Sequence, residues 1–153
     1  MTATNNDAAV PAALDLWAKA TRAMDIDAIM ACYARNVVSY DCHSAFQFRD
    51  ATAHRKHLEI CFPYMQGPIT FDVHELSIAS QDDLAFCHFT AHCGCKGHDG
   101  NEHWSWLRFT SCLRKIDGKW LIVHDHCSAP FDPMSGKAML DAGPEELKRG
   151  RAA

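Results

Sequence analysis

The chain lacks any apolar run near the roughly 20 residues that a membrane-spanning helix needs. Its first residues, Met1 to Asp7, carry no basic residue and lead into no apolar stretch, which argues against a secretory leader. It also lacks a basic excess: 15 Lys+Arg against 19 Asp+Glu give a net charge of -4 with neutral histidines. Nucleic acids and anionic membranes require a basic patch, and the basic cluster Lys148, Arg149 and Arg151 sits in the tail, where it reads as solvated. No Cys-x2-Cys pair is present, so the commonest zinc spacing is missing. Internal repeats and linker-like segments are missing too, which excludes a solenoid or a multi-domain array.

What remains is a chain of 153 residues with 48% hydrophobic and 22% charged residues, the make-up of one globular domain. We expect a domain over 9–132 with tails at 1–8 and 133–153, in a cytoplasmic protein without nucleic-acid or membrane partners. Eight cysteines are many. Without a leader they are expected to be reduced, and Cys32, Cys61, Cys87, Cys93, Cys112 and Cys127 lie in runs that read as core-filling strand or helix. Ten histidines are the odd feature of the composition.

The pattern along the chain is helical first. Pro11 opens a helix in which Leu14, Trp17, Ala18 and Thr21 recur at helical spacing. Asp25 caps a second, short helix with Ile26, Ile29, Met30 and Tyr33 as its apolar stripe. Residues 37–40 and 45–48 read as two short paired strands. A third helix follows over 51–62, with His54, His57, Leu58, Cys61 and Phe62 on one side. The period then changes to two, over strands at 69–80, 84–95, 102–115 and 120–128. Turns at 97–100 and Asp117-Gly118 join the later strands. A short docked helix is the most the tail from 137 supports. This order predicts an α+β fold: three N-terminal helices on a strongly curved, mainly antiparallel sheet, with a hollow for a small molecule between them.

Asp25-Ile26-Asp27-Ala28-Ile29, Tyr33-Ala34, Asn36-Val37-Val38 and Arg49-Asp50 resemble the nuclear transport factor 2-like superfamily. The stretch from Asp117 to Pro130 is similar to the last strand of the calcium/calmodulin-dependent protein kinase II association domain and of polyketide-cyclase-like proteins. The resemblance covers about residues 12 to 132 and implies a cone-shaped fold. It also implies a general-base aspartate at Asp41, as in ketosteroid isomerases. The oxyanion-hole tyrosine of those enzymes falls at Trp17, and their protonated aspartate falls near Thr110 or Ser111, so that half of the machinery is replaced. The plainer reading of Asp41 is a turn residue at a strand end.

Other candidates come from the residues themselves. His88 and His92 share one strand face, and His124 and His126 share another, with Asp125 opposite. Histidine beside a carboxylate suits acid/base work, and histidine hydrogen-bonded within the sheet or at a dimer interface is the structural alternative. Trp104, Trp106, Arg108 and Thr110 share a face on which Arg108 offers a clamp for a carboxylate or enolate. Period two does not say which face points inward. His88, His92, Cys93, Cys95, His98 and His103 crowd one hairpin, but their alternation scatters them, and no metal is expected.

The leading expectation is a cofactor-free acid/base enzyme, an isomerase, dehydratase or cyclase, acting on a partly apolar organic molecule. Asp41 and His88 would be catalytic, and Trp17, Tyr33, Trp106, Arg108, His124 and His126 would bind the substrate. The alternative is a non-catalytic binding or oligomerisation module. A homodimer is expected either way, because one sheet face would otherwise expose aromatics.

Overall fold

The computed structural model describes residues 8–43 and 45–144. Helix α1 (Ala9–Ala23) ends where Met24 turns left-handed, and α2 (Ile26–Met30) starts at Asp25, whose side chain accepts the Ala28 N–H. Strand β1 (Tyr33–Tyr40) follows, then α3 (Ala51–Cys61), capped by Asp50 on the Ala53 N–H, and a 3-10 turn (Phe62–Tyr64). Strands β2 (Met65–Gln81), β3 (Leu84–Gly97), β4 (Glu102–Ile116) and β5 (Lys119–Ser128) complete one curved sheet in the order β1-β5-β4-β3-β2. All its pairings are antiparallel except β1 with β5. Asp117 and Gly118 both take positive φ, the primed-turn geometry that matches strand twist.

Two local expectations change. The second short strand at 45–48 is only a bridge, Ser39 with Phe48. Tyr33 belongs to β1 rather than to the stripe of α2, because α2 closes at Met30 and the chain is already extended at Tyr33. Over 137–143 the chain is irregular, and the Leu140 carbonyl accepts the Trp106 N–H and so continues the edge of β4 beyond the end of β5; Pro144 is helical, and the rest of the expected tail helix lies outside the described residues. The basic cluster at 148–151 and the first seven residues lie outside the described residues. Among the described residues, no helix is long and apolar enough to cross a membrane.

Bulges shape the sheet. Glu75, at φ 55°, is an extra residue in β2 between the pairs His74–Thr90 and Ser77–His88. Val123 is extra in β5 between the pairs Leu113–Ile122 and Cys112–His124. Each bends its strand and raises the twist, so the sheet curls around the helices. The concave face does two jobs. At one end Val10, Val37, Cys87, Leu113 and Ile122 are fully buried. Towards the middle Trp17 meets Phe71, Phe89 and Phe109 edge-on, with centroids 5.3, 6.2 and 6.1 Å away. At the other end the sheet and helices diverge, and a cavity opens.

Candidate active site

The cavity holds about 460 Å³. Its walls are mostly apolar, with Ile29, Leu58, Phe71, Leu107 and Phe109 among them; Thr21, Ser39, His103 and Ser105 also line it, and the polar groups of most chemical interest are Tyr33, Asp41, His43, His54, His57 and Asp125. Four segments supply these groups. Tyr33 comes from the start of β1, and Asp41 and His43 from the loop that leaves its end. His54 and His57 are three apart on α3, hence on one helix face. Asp125 comes from β5.

Asp125 and Tyr33 form the floor. The Tyr33 hydroxyl donates to Asp125 Oδ2 at 2.6 Å and accepts from Trp17 Nε1 at 3.1 Å. Burial, then the Asp125 charge, push the Tyr33 phenol well above its ordinary value, so it stays a donor. Among the described residues Asp125 Oδ1 has no hydrogen-bond partner, and neither does His54 Nδ1. Both atoms are buried, and both residues line the cavity. The His54 ring stacks on Phe48 at 5.5 Å and meets Tyr33 edge-on at 4.8 Å. Burial lowers its pKa against the pull of Asp125, so it is neutral at pH 7.

Asp41 sits higher on the wall. Its Oδ1 accepts the His43 backbone N–H at 2.8 Å and lies 3.1 Å from His43 Nδ1; its Oδ2 lies 3.8 Å from His57 Nε2. Burial pushes the Asp41 carboxyl up, but the bonds from His43 and the nearby His43 and His57 outweigh it and hold it below the ordinary value. Asp41 is therefore a carboxylate at neutral pH. Behind it, Cys42 Sγ lies 3.3 Å from Cys127 Sγ and 3.4 Å from His43 Nδ1. The donor atoms of Asp41, Cys42 and His43 all fall within 4.8 Å of one another, close enough to share a cation.

Of the residues expected at the site, Trp17, Tyr33 and Asp41 line the cavity, although the Trp17 N–H is already committed to Tyr33. His88, Trp106, Arg108, His124 and His126 do not; they lie on the opposite sheet face. The reasons are specific. On β3, Cys87, Phe89 and Ala91 are buried inward, and core and cavity share that concave face, so His88 points away. On β4, Leu107 and Phe109 line the cavity, which turns Trp106 and Arg108 outward. On β5, Trp120 and Ile122 are buried in even phase, the Val123 bulge shifts the phase, and Asp125 and Cys127 point inward instead of the histidines. His124 Nδ1 lies 2.7 Å from the Val38 carbonyl oxygen and His126 packs edge-on against Tyr40.

His43, His54, His57 and Asp125 were not among the expected site residues. The one-sided spacing of His54 and His57 on a helix was the visible signal. Ser111, expected near a lost acid, pairs with Asp125 across β4 and β5, so a carboxylate stands one strand over from that place.

Comparison with known proteins agrees with this fold. The model of the SnoaL-like domain matches residues 10–132. An NTF2-like protein of unknown function from Pseudomonas putida KT2440 is 32% identical, over 94% of this chain and 100% of that one, with a TM-score of 0.85. A ketosteroid isomerase-like protein from Erwinia carotovora atroseptica SCRI1043 is 17% identical over 82% and 97%, with a TM-score of 0.72. The association domain of C. elegans CaMKII is 12% identical over 80% and 95%, with a TM-score of 0.65. The last two likenesses concern the fold alone. No curated protein matches the chain. A family match across the whole helix-and-sheet unit, with the cavity inside it, makes this chain a member of the SnoaL-like family.

Proposed function

We propose that the protein is an acid/base enzyme, of isomerase or dehydratase type, acting on a small, partly apolar carbonyl compound in the cavity. The observation that carries this reading is the meeting of three groups in one largely apolar cavity: an ionised Asp41, and His54 Nδ1 and Asp125 Oδ1, which have no hydrogen-bond partner among the described residues. Buried polar atoms without partners are rare, and a ligand or water normally satisfies them.

In this reading Asp41 takes a proton from carbon next to the carbonyl. Neutral His54, with its proton on Nδ1, donates to the oxygen on which negative charge develops. The proton then returns at another carbon, which is isomerisation, or His57 protonates a departing hydroxyl, which is dehydration. Asp125, held by Tyr33, accepts a substrate hydroxyl at Oδ1. His57 and His54 thus take the partner role first expected of His88.

The fold family contains dimers and oligomers, and we read the outer sheet face as a homodimer surface. Tyr40, Phe86 and Trp104 stand 40%, 45% and 46% exposed there, and His92 stacks between Trp104 and Trp106.

The catalytic reading is tested by pairing turnover with binding. Once a ligand is found by native mass spectrometry, Asp41→Asn is expected to keep its affinity within a few-fold and lose turnover. Full turnover in that variant would remove the proposal and leave a binding module.

A further inference from the structure

Eight cysteines surround or fill this fold, and they are not alike. Cys87 is fully buried against apolar neighbours, and burial pushes its thiol up to about 11. Cys93, half-buried in the cavity wall, is pushed up to about 12 by desolvation. Such thiols stay protonated and react slowly. Cys42 and Cys127 differ in geometry. They are 85 residues apart in sequence, yet their sulfurs are 3.3 Å apart. They meet because β1 and β5 run parallel, with Tyr40 opposite His126, so the loop leaving β1 passes beside the end of β5. Cys127 lines the cavity, and Cys42 is flanked by the ring of His43, 3.4 Å from its sulfur.

We propose that Cys42 and Cys127 are a peroxide-sensitive pair that forms a reversible disulfide, tying the Asp41–His43 loop to β5 at the cavity wall. Cys42 is the attacking sulfur. The two sulfurs share a hydrogen bond at 3.3 Å, in which either can donate, and the His43 ring 3.4 Å from the Cys42 sulfur favours the thiolate on Cys42. With Cys42 as the thiolate, Cys127 keeps the shared proton. The Cys42 thiolate attacks one oxygen of hydrogen peroxide; the S–O bond forms, the O–O bond breaks, and the departing hydroxide takes a proton from solvent to leave as water. Cys127 then attacks the sulfenic sulfur. The S–S bond forms, the S–O bond breaks, and the second hydroxide leaves as water with the Cys127 proton. Two thiols lose two electrons, and one peroxide becomes two waters.

The bond would fix the loop that carries Asp41, so its effect on turnover rests on the function proposed above, while the bond itself does not. The test therefore reads mass. Reduced protein is treated with hydrogen peroxide, alkylated and digested with trypsin. The expected product joins the peptides 36–49 and 120–137, about 2 Da lighter than their sum, and dithiothreitol separates them. Cys87 and Cys93 are expected to stay alkylated. Cys127→Ser is expected to leave Cys42 as a sulfenic acid that dimedone traps, and Cys42→Ser to leave Cys127 reduced. The proposal is overturned if other cysteines oxidise first, or if Cys42 passes to sulfinic acid while Cys127 remains free. It is also overturned if zinc copurifies at the pair and no link forms after chelation. None of these readouts needs a substrate, so they stand or fall apart from the catalytic proposal.

Discussion

Replacing Tyr33 with phenylalanine keeps the ring and removes one hydroxyl, which makes it a clean probe of the cavity floor. That hydroxyl has two partners, Asp125 Oδ2 at 2.6 Å and Trp17 Nε1 at 3.1 Å. The first distance is in the range of charge-assisted O–H···O bonds, and a bond to a charged group contributes about 1.5–3 kcal/mol net. Its loss leaves the buried Asp125 carboxylate without a donor among the described residues, because Oδ1 has none already. The Trp17 N–H is orphaned as well, for about 1–3 kcal/mol if no water replaces the hydroxyl. Asp125 lines the cavity, so water can reach it and limit the damage. We therefore expect Tyr33→Phe to lose about 3 kcal/mol, measured as a shift in urea midpoint at pH 7 with the slope unchanged. Adding Asp125→Asn should recover part of that loss, with a coupling of about 2 kcal/mol in a double-mutant cycle. A loss under about 1 kcal/mol, or simple additivity, would refute the linked floor.

Other outcomes are as specific. The low pKa of His54 means that the unfolded chain binds a proton first, so its contribution to stability is full above the ordinary histidine value and is lost as pH falls below about 6.5. His54→Phe should flatten the urea-midpoint profile over that window, and an unchanged profile would show that His54 is not buried neutral. Phe86→Glu on the outer face should yield monomers in sedimentation velocity without lowering the melting temperature by more than a few degrees; persistent dimers would move the interface elsewhere. Gly94→Val places a Cβ 2.4 Å from the Trp104 ring and should dislodge that ring from His92, losing about 1–3 kcal/mol; equal stability and an unchanged tryptophan spectrum would contradict the packing.

The frame was legible because local signals agreed. Asp25 and Asp50 stand where helices start, and Asp117-Gly118 stands where the last hairpin turns. The hydrophobic period changes from helical to two where α3 gives way to β2. The site was less legible for a physical reason. A strand pattern shows two faces, but in a curled sheet the same concave face lines both core and cavity, so strand cysteines expected to fill the core, Cys93 and Cys127, marked the functional side. Val123 compounded this. One bulged residue inverts the phase of β5, and no period-two reading carries Asp125 inward past Trp120 and Ile122. Asp41 was found through resemblance. The Cys42–Cys127 contact depends on β1 and β5 running side by side, which spacing alone does not reveal.

The central claim is that Asp41 moves protons within this cavity. Its most direct test needs no knowledge of the natural substrate. Cyclic ketones that native mass spectrometry shows to bind are incubated with the protein in D2O, and exchange of the protons next to the carbonyl is followed by NMR. Wild-type protein is expected to speed exchange well above buffer, and Asp41→Asn to lose that rate by about 100-fold or more while still binding. Equal exchange in the two proteins, or none with a ketone bound in the wild type, would contradict the account.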